Sequence, residues 1–162
     1  MVITSLDNDK VKYYCKLQKK KYRDINNEFV VEGEHLVLEA FKTGVLKEVL
    51  LEEGEVLPID VEQIEVTKEV LKKISTLSSP PKMIGLCEKK IETTIGKRIL
   101  VVDEIQDPGN LGTIIRSAVA FNIDTIVIGD NTVDVYSPKV IRSTQGMLFH
   151  VHIVFYSIDK LI

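Results

Sequence analysis

The sequence predicts an α/β fold in two parts, the second of them built on a parallel sheet. Three observations lead there. Short apolar runs rich in β-branched residues alternate with stretches of helical period from about residue 28 to residue 155. Residues 98–121, RILVVDEIQDPGNLGTIIRSAVAF, read as a strand, a turn and a helix. Residues 89–97, KKIETTIGK, are polar with one glycine and form the expected linker. The domains expected on this reading are residues 1–90 and 98–162, with 91–97 between them.

Composition narrows the classes. A chain of 162 residues, 44% apolar and 28% charged, has enough material for a real core and the balance of a soluble globular protein. No apolar run approaches membrane-spanning length, so no membrane partner is expected. The opening MVITSLDNDK lacks a charged segment followed by an apolar one, so no secretory signal is expected. Cys15 and Cys87 are far apart and outside any CxxC pattern, which favours reduced thiols in a cytoplasmic protein. His35, His150 and His152 have no metal-site spacing with them, and no metal is expected. The net charge of −3 hides an asymmetry. Residues 1–23 hold seven basic residues against two acidic ones, a net of +5, which leaves −8 for the rest. A basic lead on an acidic chain suggests a local contact with a polyanion.

Along the first part, residues 5–17 read as a short helix with Ser5, Asp7 or Asn8 as cap. The run Lys19-Lys20-Lys21-Tyr22-Arg23 follows, either a solvated loop or a phosphate contact with Tyr22 free to stack on a base or sugar. Residues 28–32 read as a strand, 33–43 as an amphipathic helix closed by Gly44, 45–51 and 64–66 as strands. Thr67 caps a helix carrying Val70, Leu71 and Ile74. Ser78-Ser79-Pro80-Pro81 breaks the chain before a strand at 83–88.

In the second part, residues 99–102 are a continuous apolar run suited to a strand covered on both faces. Asp107-Pro108-Gly109-Asn110 supplies turn chemistry, with Asn110 at a natural cap position. Leu111, Ile114, Ile115, Ala118 and Phe121 then form one apolar stripe. The opposite face gathers Gly109, Gly112, Thr113, Arg116 and Ala120. Each helical glycine costs roughly 1 kcal/mol against alanine, so something is expected to come close there. Arg116 stands either in an ordinary surface ion pair or in a functional site. Asn122 tolerates the left-handed turn that ends the helix. Residues 125–128 read as the next strand, and Ser137-Pro138 as a helix start with serine as cap. Lys139 and Arg142 share one face of that helix, as solvated charge or as a phosphate or subunit contact. Residues 151–155 read as a strand containing His152, and 157–162 as the beginning of a helix.

Asp107-Pro108-Gly109-Asn110-Leu111-Gly112-Thr113-Ile114-Ile115-Arg116-Ser117-Ala118 resembles the first motif of the SpoU (TrmH-type) RNA 2′-O-ribose methyltransferases, within the knotted SPOUT superfamily. The likeness continues through Tyr136-Ser137-Pro138-Lys139-Val140-Ile141-Arg142-Ser143-Thr144-Gln145-Gly146. Phe29-Val30-Val31-Glu32-Gly33 matches the opening of the family's N-terminal L30e/L7Ae-like RNA-binding domain. The resemblance implies methyl transfer from S-adenosylmethionine to a ribose 2′-hydroxyl of RNA, rRNA above all, by a homodimer with its active site near the subunit interface. Arg116 and Asn110 match the family's catalytic residues. Lys19, Lys20, Lys21, Arg23, Lys139 and Arg142 are the RNA-binding candidates.

Two family motifs, a GNE-type loop and a final SLN-type segment, hold the cofactor in relatives and do not occur here. No cofactor-binding residue is therefore expected within this chain, which is expected to be a fragment, inactive alone, with an incomplete catalytic domain and an exposed hydrophobic patch. A non-catalytic RNA-binding relative is the main alternative. An unrelated doubly wound nucleotide binder is disfavoured, because no G-x-G-x-x-G or Walker-type loop follows the first strand of the second part.

Overall fold

Turn chemistry and strand pairing divide the chain into two compact units, Met1–Lys89 and Lys90–Ile162, in a computed structural model that describes residues 1–160. In unit 1, helix α1 (Asp9–Lys16) starts later than the apolar pattern suggests, because the Asn8 side chain accepts from Lys10 N at 2.9 Å. The basic run is a second helix, α2 (Lys20–Asn26), where the sequence reads only charge. It is helical because Arg23 turns inward. That residue is 4% exposed, and its guanidinium donates to Leu17 O at 2.9 Å, satisfying a carbonyl just past the end of α1.

Strands β1 (Glu28–Glu32), β2 (Leu46–Glu52), β3 (Glu62–Val66) and β4 (Met83–Glu88) form one sheet in the order β1-β4-β2-β3. Here β4 runs antiparallel to β1 and β2, and β3 is parallel to β2. Helix α3 (Glu34–Lys42) buries Leu36, Val37 and Ala40, and α4 (Lys68–Ile74) buries Val70, Leu71 and Ile74. Thr67 does stand at the head of α4, but its buried hydroxyl makes no capping bond.

Two tyrosine–glutamate pairs tie α1 to the sheet. The Tyr14 hydroxyl donates to Glu48 at 3.0 Å and Tyr13 donates to Glu28, while Lys10 and Lys47 neutralise the same two carboxylates. Burial first, then the adjacent carboxylates, pushes both phenols well above the ordinary tyrosine range, so they remain donors.

Unit 2 contains β5 (Ile99–Val102), α5 (Pro108–Ala120), β6 (Thr125–Ile128), α6 (Pro138–Thr144), a 3₁₀ turn over Met147–His150 and β7 (His152–Phe155). The three strands are parallel in the order β5-β6-β7. All of β6 is buried. The expected two-sided cover on β5 is not found: Ile99 and Val101 are 45% and 43% exposed. As an edge strand, β5 turns Ile99 and Val101 outward and Val102 inward. Its start is pinned by Asp124, whose carboxylate accepts from Lys97 N and Arg98 N at 3.1 and 2.8 Å. Asn122 has φ 56°, the left-handed turn its residue type allows. A short 3₁₀ turn covers Ile158–Lys160, and the rest of the helix expected at 157–162 lies outside the described residues. Among the described residues no helix is long and apolar enough to cross a membrane.

Candidate functional site

Helix α5 carries the site. Its cap is Asp107, not Asn110: the Asp107 carboxylate accepts from Asn110 N at 2.7 Å, and Pro108 takes the first helical position. Asn110 is thereby moved into the first turn with an exposed side chain, relieved of the capping role. Arg116 lies six residues on, about 9 Å along the axis and about 120° around it. The helix therefore presents the two side chains on different sides rather than as a facing pair. Arg116 is exposed, and among the described residues no carboxylate pairs with it. The ordinary ion-pair reading of this arginine does not hold.

The glycines of that face have separate explanations. A Cβ on Gly112 would lie 2.8 Å from the Ser143 carbonyl carbon, so the close approach there belongs to α6 of the same unit. At Gly109 an added Cβ would meet only the Asp107 carboxylate, at 3.1 Å. The sequence signal was correct about crowding at Gly112, but its neighbour is intramolecular.

Two clefts flank α5. One, about 500 Å³, is lined by Thr113, Arg116, Ser117, Ala120, Gln145 and Met147. The other, about 610 Å³, is walled mainly by aliphatic residues of β5 and α5, with Phe121 and with Asp103 as its one charged residue. On α6, Ser137 accepts from Val140 N at 3.4 Å, as a serine cap should. Lys139 is exposed and Arg142 half-buried, and neither lines the Arg116 cleft. Gln145 and Met147, which sequence reading passed over, take that place. The available signal was Gln145-Gly146, a helix-ending pair with φ 50° and 86°.

In unit 1, Lys19, Lys20 and Lys21 are exposed. Lys20 pairs with Asp24 at 2.5 Å, and Lys89 approaches the other oxygen at 2.8 Å. Slight burial works against ionisation of Asp24, but these two hydrogen bonds outweigh it and hold the carboxyl below its ordinary value. The half-buried Tyr22 ring has the Lys16 and Lys21 ammonium groups at 5.8 and 5.7 Å from its centre. The ring is therefore partly exposed, with two cations beside it. Arg23, counted among the RNA-binding candidates, is spent inside the unit on Leu17. Among the described residues no group of three or more His, Cys, Asp or Glu side chains is placed to hold a metal.

Comparison with known proteins matches residues 8–85 to the MRM3-like substrate binding domain and residues 97–162 to the SpoU rRNA methylase family. A solved RNA 2′-O ribose methyltransferase superposes over 99% of this chain and 67% of its own, with TM-score 0.80 and 31% identity. The chain belongs to the SpoU rRNA methylase family. An AdoMet-bound rRNA methyltransferase from Sinorhizobium meliloti matches 99% of this chain and 66% of its own at TM-score 0.85 and 29% identity. The Bacillus subtilis 23S rRNA (guanosine(2553)-2′-O)-methyltransferase is 39% identical over 160 residues. The human mitochondrial rRNA methyltransferase 3 is 30% identical over 156. These matches cover 94% and 85% of this chain but 64% and 37% of the two relatives.

Proposed function

We propose that this SpoU chain serves S-adenosylmethionine-dependent 2′-O-ribose methylation of rRNA, with unit 1 holding RNA and α5 presenting Arg116 to the reacting nucleotide. The observation that carries the reading is an exposed arginine, unpaired with any carboxylate among the described residues, beside a cleft on the family's motif helix. A ribose hydroxyl is a weak nucleophile, so its developing negative charge must be stabilised. A guanidinium presents only donors, so its part here is to hold negative charge rather than to take a proton. Its fork suits gripping the neighbouring phosphate and stabilising the emerging alkoxide, while a phosphate oxygen or water takes the proton. Asn110, free of the cap, has its amide available to the ribose or backbone of the same RNA.

S-adenosylmethionine supplies the methyl group in this chemistry. Neither cleft of unit 2 has a lining matched to it. The larger cleft is open and mainly aliphatic, with Asp103, Thr113 and Ser117 as its polar lining, and the smaller one places a guanidinium where a sulfonium would be repelled. No cofactor contact is assigned to this chain, and the second reading is an RNA-binding relative without catalysis. A homodimer working in a reducing cytoplasm belongs to the same proposal, and Cys15 and Cys87 stand as free thiols within it.

Transfer of labelled methyl from S-adenosylmethionine to rRNA, followed by alkaline hydrolysis to locate the mark on ribose, tests the enzyme reading. Arg116→Ala is expected to lower the rate roughly 10²–10³-fold, the usual loss on removing a donor to a developing oxyanion. Methyl on a base, or full activity in that variant, overturns the assignment. RNA binding without transfer or cofactor affinity selects the second reading.

A further inference from the structure

We propose that the end of unit 1 where α1, α2 and α4 meet grips the sugar–phosphate backbone of RNA through Lys16, Lys19, Lys21 and Lys72, without reading its bases. The inference rests on the RNA reading above and gives it a surface and a mode of contact.

Packing brings these lysines to one place. Gln18 Nε2 donates to Ile74 O at 2.7 Å and the Cys15 thiol to Lys73 O at 3.8 Å, so the last turn of α4 abuts the end of α1. Lys72 and Lys73 belong to that turn, Lys16 to the last turn of α1, and Lys19 caps α2 directly after it. The basic run by itself names a different set. Lys20 pairs with Asp24 at 2.5 Å, Lys73 donates to Leu6 O at 3.1 Å, and Arg23 is buried. Lys16, Lys19, Lys21 and Lys72 are exposed, and among the described residues no carboxylate pairs with any of them.

Two features of this cluster work against the fold. A helix dipole accounts for Lys16 and Lys72, which lie at C-terminal ends, but not for Lys19 and Lys21. Those two crowd the positive end of α2, whose first turn holds no acidic residue, where folding alone would favour carboxylates. The Lys16 and Lys21 ammonium groups also converge on one ring, 5.8 and 5.7 Å from the centre of Tyr22, which keeps two like charges close. A bound polyanion relieves both costs. Unit 1 is polarised to match. Glu53, Glu62 and Glu65 are exposed beside edge strand β3, which leads into the opposite end of α4. That arrangement steers an approaching polyanion to the lysine end. Lysine ammonium groups are point charges on flexible stems, suited to phosphate oxygens and carrying no sequence information.

Binding of the full chain to 23S rRNA and to poly(U), measured over a series of salt concentrations, tests this. Poly(U) is single-stranded and offers one base throughout, so it reports backbone contact. Each phosphate contact to a single strand adds about 0.7 to the slope of log affinity against log salt. On poly(U), Lys72→Gln should lower that slope by about 0.7, and the Lys16→Gln/Lys19→Gln/Lys21→Gln triple variant by about 2. Lys20→Gln, inside the basic run but paired with Asp24, should leave it unchanged, as should Lys42→Gln on α3. The corresponding Lys→Arg variants should keep the wild-type slope, since they keep the charge. A slope left unchanged by the triple variant or by Lys72→Gln, or lowered as much by Lys20→Gln, overturns the assignment and leaves the RNA reading intact. Tighter binding to phosphatidylglycerol vesicles than to either RNA, lost in the triple variant, overturns it in favour of a lipid surface. If the wild-type chain binds neither RNA, the inference and the RNA reading fall together.

Discussion

Units 1 and 2 alternate strand and helix in the same way, yet they finish their surfaces differently. In unit 1, every residue of β1 is buried, as are all of β4 except Glu88, and α1 is tied down by two tyrosine–glutamate pairs. In unit 2 only the central strand β6 is fully buried, while Ile99, Val101 and Phe121 lie open, Phe121 at 75% exposure. The exposed aliphatic cleft and the exposed, carboxylate-free Arg116 occupy neighbouring sides of α5. Unit 1 spends Arg23 and its tyrosine–glutamate pairs on holding itself together. Unit 2 leaves both its apolar face and its principal cation for contact, which is where a reacting site belongs.

The largest effect that would sharpen this contrast comes from the two packed glycines. Gly112→Ala places a Cβ against Ser143 backbone, which cannot give way, and should destabilise unit 2 by about 3 kcal/mol, the upper end for overpacking. Gly85→Ala in unit 1 meets only side chains, Leu46, Val31 and Val37 at 2.8, 3.0 and 3.2 Å, and should cost about 1 kcal/mol. Urea unfolding followed by hydrogen exchange in each unit separates the two. Equal losses would show that helix and sheet contacts relax alike.

Next come the two strands of unit 2. Val127→Ala, in the buried strand β6, should cost about 2 kcal/mol, whereas Val101→Ala on the open face of β5 should stay within about 0.5 kcal/mol. A large loss at Val101 would mean that something covers β5 in solution. Tyr14→Phe should remove about 1 kcal/mol from unit 1 by leaving the buried Glu48 with one donor fewer.

The smallest effect is electrostatic. Asp24 has its pKa lowered on folding, so its contribution is present above the ordinary carboxylate value of 3.8 and fades as pH falls through the depressed folded value. Asp24→Asn should be slightly less stable than wild type at pH 7, with the gap closing in acid. A gap that persists at pH 2 would assign the effect to packing instead. Exposure and salt screening keep it small.

Period and punctuation determined most of the elements. The strand at 83–88 is found at the expected residues, Ser137-Pro138 begins α6 through its cap and first position, and Asn122 makes the left-handed turn its residue type permits. These features depend on neighbours in the chain, and local sequence is enough to specify them. The place of Arg116 on the helix was legible for the same reason, since a face opposite an apolar stripe is a property of one helix.

Tertiary structure decided what depends on distant partners. Whether KKKYR was a loop or a helix turned on Arg23 reaching Leu17, and whether Asn110 was a cap turned on a competing carboxylate at Asp107. Which neighbour crowds Gly112, which face of β5 is covered, and which residues join Arg116 in its cleft were all set by how helices and strands meet. A hydrophobic pattern states that a face prefers burial. Only packing determines what, if anything, buries it.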